Sequence, residues 1–135
     1  MSQVSTAFVA SPELIATLEK RARSIDLGSN RVLFRQGDTP IGVFILTKGK
    51  ARLTRRLDGK EVLTVRVGAG SLLGLPAVIG AKPYSLTAEA TKGAEISLLA
   101  SEYFVHLMHT DTALSFCVLQ VLAAELRFAR ETLSH

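Results

Sequence analysis

The apolar residues of this chain change their period twice, and the changes divide it into three stretches. Leu14, Ile15, Leu18, Ala22 and Ile25 recur at the three- and four-residue spacing of an amphipathic helix. Ser11-Pro12-Glu13 precedes them. It offers a capping hydroxyl, a proline suited to the first helical position and an acid at the positive end of the helix dipole. Asp26-Leu27-Gly28-Ser29-Asn30 stops such a helix, so the pattern predicts an N-terminal helix over 11–25.

From Arg31 to Leu99 the period falls to two. Val32 and Phe34 alternate with Leu33 and Arg35, and Gly37-Asp38 opens a turn. Val43 to Leu46 is a short β-branched and aromatic run, which Lys48-Gly49-Lys50 interrupts. Ala51 to Leu57 and Val62 to Val67 flank Asp58-Gly59, a strong hairpin signal because both turn residues tolerate positive φ. A two-residue turn sets Arg56 opposite Glu61, a cross-strand pair worth a few tenths of a kcal/mol. Gly68, Gly70, Gly74 and Gly80 punctuate the next stretch, and Ser85 to Ala90 and Glu95 to Leu99 are the last strands. Many short strands at close spacing predict a β-sandwich or jelly-roll barrel over 31–99.

The stretch 102–133 is helical. Glu102 to His109 forms a short helix, and Asp111 caps the next. Leu119, Leu122, Leu126, Ala129 and Leu133 come at spacings of 3, 4, 3 and 4, a heptad seam. Phe116, Val118, Val121 and Phe128 form a second apolar strip. A helix apolar on two sides needs a partner on each. One strip suits the domain's own core, and the other predicts a homodimer.

Composition narrows the class. At 135 residues the chain is a single domain, 1–135, able to bury roughly two-thirds of its unfolded surface in one core. A single cysteine, Cys117, excludes an internal disulfide and an iron–sulfur cluster, and it suits a reducing compartment. No basic segment precedes an apolar run at the N-terminus, and no apolar stretch of membrane-spanning length stands out. The expected setting is the cytoplasm, with no membrane contact. Residues 20–66 carry twelve of the sixteen basic groups and four of the twelve acids. Such a balance attracts nucleic acid when a binding element accompanies it. No helix-turn-helix or aromatic platform does so here, so these residues are expected at solvated strand positions.

Phe34, Gln36-Gly37-Asp38, Phe44-Ile45-Leu46, Gly49, Gly70, Gly74 and Glu95-Ile96-Ser97 stand in an order and spacing that resembles the cyclic-nucleotide-binding domain of the CRP/FNR regulators. The resemblance covers residues 11 to 133. It implies a mainly β fold with flanking helices: a double-stranded β-helix, or jelly-roll barrel, between an N-terminal helix and a long C-terminal helix. In that family the long helix is the dimer interface and leads into a winged helix-turn-helix domain. This chain stops where that domain begins, which implies a free-standing sensor with no direct DNA binding.

The resemblance also places a ligand loop. Family members grip the cyclic phosphate with loop amides and an Arg, and the ribose with a Glu. Here the loop is Gly74-Leu75-Pro76-Ala77-Val78-Ile79-Gly80-Ala81-Lys82-Pro83-Tyr84-Ser85, and residues 68–88 contain neither Arg nor Glu. Leu75 falls at the Glu place and Tyr84 at the Arg place. The implied pocket comprises Gly74, Leu75, Pro76, Ala77, Lys82, Tyr84, Ser85, Leu86 and Thr87. Losing two charged partners weakens binding by roughly 10²–10⁴-fold. The expected function is a regulatory small-ligand sensor with little or no cyclic AMP or cyclic GMP binding and no cofactor. Two alternatives stay open. One is a true cyclic-nucleotide binder that uses loop amides, Ser85 and Lys82. The other is a ligand-free module for dimerisation or for docking a protein partner.

Little suggests an enzyme or a metal. His106 and His109, with Asp111 nearby, have zinc-like spacing but no third fixed ligand. All three histidines, His135 included, lie outside the strands, which argues against a metal-dependent barrel enzyme. Ser85 and Ser97 have no histidine base on the strands. Cys117, in an apolar helical stretch, is expected to be a packing residue.

Overall fold

In the computed structural model residues 4–133 are described, the last of them in its backbone only. His135 lies outside the described residues. Among the described residues, nine strands and four helices run in the order β1 (Val4–Ser5), α1 (Pro12–Glu19), β2 (Arg23–Ile25), β3 (Val32–Phe34), β4 (Gly42–Lys48), β5 (Lys50–Leu57), β6 (Lys60–Gly68), β7 (Leu72–Leu73), α2 (Leu75–Gly80), β8 (Thr87–Ala90), β9 (Glu95–Ala100), α3 (Ser101–Thr110) and α4 (Thr112–Leu133). The strands form a five-stranded sheet, β1-β6-β5-β8-β3, and a four-stranded sheet, β2-β9-β4-β7. The two sheets are the layers of a jelly roll and do not close into one continuous barrel.

The core is divided by β4. Phe44 and Leu46 point between the sheets, where they meet Leu53, Val65, Val67, Ala88, Ile96 and Leu98. Val43 and Ile45 point the other way, toward the helices, where Leu14, Leu18, Phe104, Leu107, Leu114, Val118 and Val121 gather. Burial on both faces is why Val43 to Leu46 is apolar without alternation.

The hairpin has the expected form. Leu57 pairs with Lys60, and Asp58 and Gly59 have φ of 53° and 77°. Arg56 stands opposite Glu61, with Nη2 3.4 Å from Oε2. The helix caps also match: Leu14 N–H donates to Ser11 Oγ at 3.2 Å, and Leu114 N–H to Asp111 Oδ1 at 3.0 Å.

Two expectations need correction. The first helix ends at Glu19 rather than Ile25. Arg23–Ile25 instead pairs with β9, Ile25 opposite Ile96, so the partner strand overrides a spacing that also suited a helix. Second, residues 112–132 of α4 do have the length and apolar composition of a membrane span. About a fifth of the span is buried in the domain, with Leu114, Val118 and Val121 packed against the helix-side cluster.

Candidate functional site

The site forms where β7 leaves the sheet. Leu72 and Leu73 lead into Gly74, and α2 starts at Leu75. Gly74 has φ of 94°, and a Cβ there would stand 2.9 Å from Tyr84 Cε1. Glycine is required both for the backbone conformation and for the close approach of the ring. Pro76, near the start of α2, contributes no N–H.

Tyr84 is built into the core. Its ring stacks on Phe34 with centroids 3.9 Å apart. Its Oη donates to the Gly42 carbonyl at 2.7 Å and accepts the N–H groups of Ile41 at 3.1 Å and Gly42 at 3.2 Å. That is one donor and two acceptor positions, the full capacity of a phenol. Burial pushes its pKa above the ordinary value, and the bonds with Gly42 and Ile41 pull the other way. Tyr84 is therefore a core residue whose hydroxyl has no bond left for a ligand.

Of the nine residues expected at the pocket, Gly74, Pro76, Ala77, Tyr84, Ser85 and Leu86 line one cavity, together with Phe8, Phe34, Leu53, Leu73 and Glu125. Its volume is about 20 Å³, far below the roughly 300 Å³ of a small-ligand site. The other three residues lie elsewhere. Leu75 is fully buried in the helix-side cluster. Lys82 is exposed and does not line the cavity. Thr87 Oγ1 accepts the Gln36 N–H at 2.9 Å and faces a groove with Arg35, Arg52, Arg56 and Glu89.

Glu125 is the site residue that the sequence pattern did not pick out. It is 8% exposed, and its Oε1 has no hydrogen-bond partner. Burial raises its pKa from 4.5 to about 8. A signal for it exists. Leu114, Val118, Val121, Glu125 and Phe128 recur at spacings of 4, 3, 4 and 3, so the acid occupies a place on the inward strip of α4. Phe128 extends that strip, its ring packed edge-on to Phe8 with centroids 5.8 Å apart.

The opposite face of α4 is apolar and open. Phe116, Leu119 and Leu126 are 64%, 49% and 55% exposed. Leu122 and Ala129 are half-buried, and the side chain of Leu133 lies outside the described part of the chain. Phe116 thus joins the seam residues, while Val118 and Val121 turn inward. Cys117 is half-buried against the helix-side cluster. Among the described residues no three His, Cys, Asp or Glu side chains converge as metal ligands. On the five-stranded sheet Arg52 stands opposite Arg66 and reaches Glu89 at 3.2 Å, all three exposed.

The model of the cyclic nucleotide-binding domain family matches residues 25–111. No curated protein sequence matches the chain significantly. Among solved structures, it is similar to the Thermus thermophilus catabolite activator protein, with 26% identity and a TM-score of 0.77 over 96% of this chain and 62% of that one. The chain thus spans less than two-thirds of that relative's length. Similar folds occur in the sensor domain of the transcriptional regulator DNR from Pseudomonas aeruginosa, with 19% identity and a TM-score of 0.67 over 90% of this chain and 82% of that one. A structure described with a cyclic-GMP-dependent signalling pathway of bacterial phytopathogenesis has 20% identity and a TM-score of 0.72, over 90% and 96%.

Proposed function

We propose that this chain, which belongs to the cyclic-nucleotide-binding domain family, is a non-catalytic cytoplasmic regulatory sensor for a small effector that has lost most of its cyclic-nucleotide affinity. One observation carries this: the cavity beside Gly74 and Tyr84 is lined by no basic side chain and has about 20 Å³ of free space. A cyclic nucleotide brings a negative phosphate, and the ionisable groups here are a fully bonded phenol and a carboxyl. Each absent charged partner costs about 1.5–3 kcal/mol of binding. Titration calorimetry with cyclic AMP and cyclic GMP up to millimolar tests this. The expected result is no saturable heat, and micromolar binding would overturn it.

The chain works as a homodimer joined along α4. The exposed strip of Phe116, Leu119 and Leu126, turned away from the domain's own core, supports this. Light scattering should give twice the 14.5 kDa chain mass, and Leu122→Glu with Leu126→Glu should give the monomer. A monomeric wild type sinks the dimer. The near-filled interior also supports a second reading, a ligand-free module whose whole output is dimerisation or docking of a protein partner.

A further inference from the structure

We propose that the inter-sheet cavity is a binding site for the head group of an apolar primary amine, received by the carboxyl of Glu125. This rests on the reading of the domain as a small-ligand sensor and names the ligand class.

The starting point is an atom without a partner. Glu125 Oε1 is fully buried, makes no hydrogen bond, and belongs to a side chain that lines the cavity. Native proteins leave few polar atoms in this condition, and such breaches of core rules concentrate at functional sites. Among the described residues none supplies a counter-charge. Phe8, Phe34, Leu53, Leu73, Pro76 and Leu86 form most of the apolar wall. Apart from Glu125, the polar side chains lining it are Tyr84, whose bonds are all taken, and Ser85. None of the sixteen basic residues of this basic chain lines it. A cation that satisfies Glu125 therefore comes from outside.

Size and shape restrict that cation. About 20 Å³ is room for one water-sized group. A primary ammonium has that size, whereas a trimethylammonium or a guanidinium does not. Its tail would lie along Pro76 and Leu86 at the partly exposed mouth, where the exposed Ser85 hydroxyl offers a second acceptor. The carboxyl that attracts an ammonium disfavours phosphates and carboxylates.

Binding is coupled to a proton. Burial holds the empty Glu125 protonated at neutral pH. No charged side chain faces it from the strands, α2 or the loop that line the cavity, and the Tyr84 phenol is the other titratable group there. When R–NH3+ enters, the carboxyl O–H bond breaks, its proton leaves to buffer, and the carboxylate pairs with the ammonium. Affinity therefore rises with pH until Glu125 is ionised.

The probe is 2-phenylethylammonium, compared by calorimetry with 3-phenylpropionate and with the N,N,N-trimethyl analogue, on wild type and on Glu125→Gln. The expected result is saturable binding of the primary ammonium alone, a buffer-dependent heat from proton release, and at least tenfold weaker binding to Glu125→Gln. Folding of the variant is checked by circular dichroism, and Ser85→Ala, at the mouth, provides a second variant expected to weaken binding less. Absence of ammonium binding to wild type, equal binding of all three probes, or unchanged affinity in folded Glu125→Gln would each overturn the proposal. Cyclic AMP in the same series separates the two readings. If neither compound binds, the amine site alone is lost. Micromolar cyclic AMP binding sinks the low-affinity reading, whatever the amine does.

Discussion

The two interiors on either side of β4 are built to different rules. Beneath the helices, Val43, Ile45, Leu75, Phe104 and Val118 pack as an apolar cluster, and the buried polar residue on that face of β9 is the small Ser97, opposite Ile45. Between the sheets, the wall of the cavity holds two buried polar side chains, the saturated Tyr84 and the unpaired Glu125. The helix side has the character of a scaffold. The inter-sheet side holds polar groups at positions where apolar ones would pack, a breach of core rules that supports the proposed site. The two polar groups differ in turn: burial alone is tolerable when every bond is made, and costly when one is not.

The largest loss should come from the scaffold side. Phe104, with no exposed surface, should cost about 3–5 kcal/mol when cut to Ala. Urea denaturation would show this, and a loss below about 1 kcal/mol would mean that the helix side is loosely packed. Tyr84→Phe keeps the Phe34 stack but leaves the Ile41 and Gly42 amides without the phenol oxygen. It should cost about 1–3 kcal/mol in the same assay.

Glu125 should respond in the opposite direction. Its pKa is 4.5 ordinarily and about 8 in the fold, so the folded state holds the proton more tightly. The stability linked to this group is whole below about 4.5 and is lost as pH rises through about 8. Across that window the loss approaches about 1.4 kcal/mol per pH unit. Glu125→Leu should flatten the fall and be more stable than wild type by about 1–3 kcal/mol at pH 8. Melting curves at pH 5 and pH 8 for both proteins measure it, and parallel pH profiles would contradict it.

Most of the fold was legible because it rests on local chemistry. Asp58-Gly59 set the hairpin register, and with it the Arg56–Glu61 pair. Ser11 and Asp111 marked two helix starts. Arg23 to Ile25 was not legible, because its strand character comes from a partner strand about seventy residues away in sequence. The ligand loop was legible in outline. That Leu75 turns to the helix cluster while Tyr84 turns inward depends on how α2 sits, which loop composition does not carry. Glu125 was hidden for another reason. An acid within a long helix usually marks its solvated face, and only the inward strip running through Val121 and Phe128 shows that this one does not.

Everything proposed for the inter-sheet pocket turns on its buried, unpaired carboxyl. Carbon-13 NMR of the glutamate carboxyls, with Glu125→Gln to assign the signal, observes that group directly. Glu125 is expected to titrate near pH 8. Titration near 4.5 would mean that the carboxylate is solvated or paired, and the pocket would then lack the buried, unpartnered carboxyl on which its proposed chemistry depends.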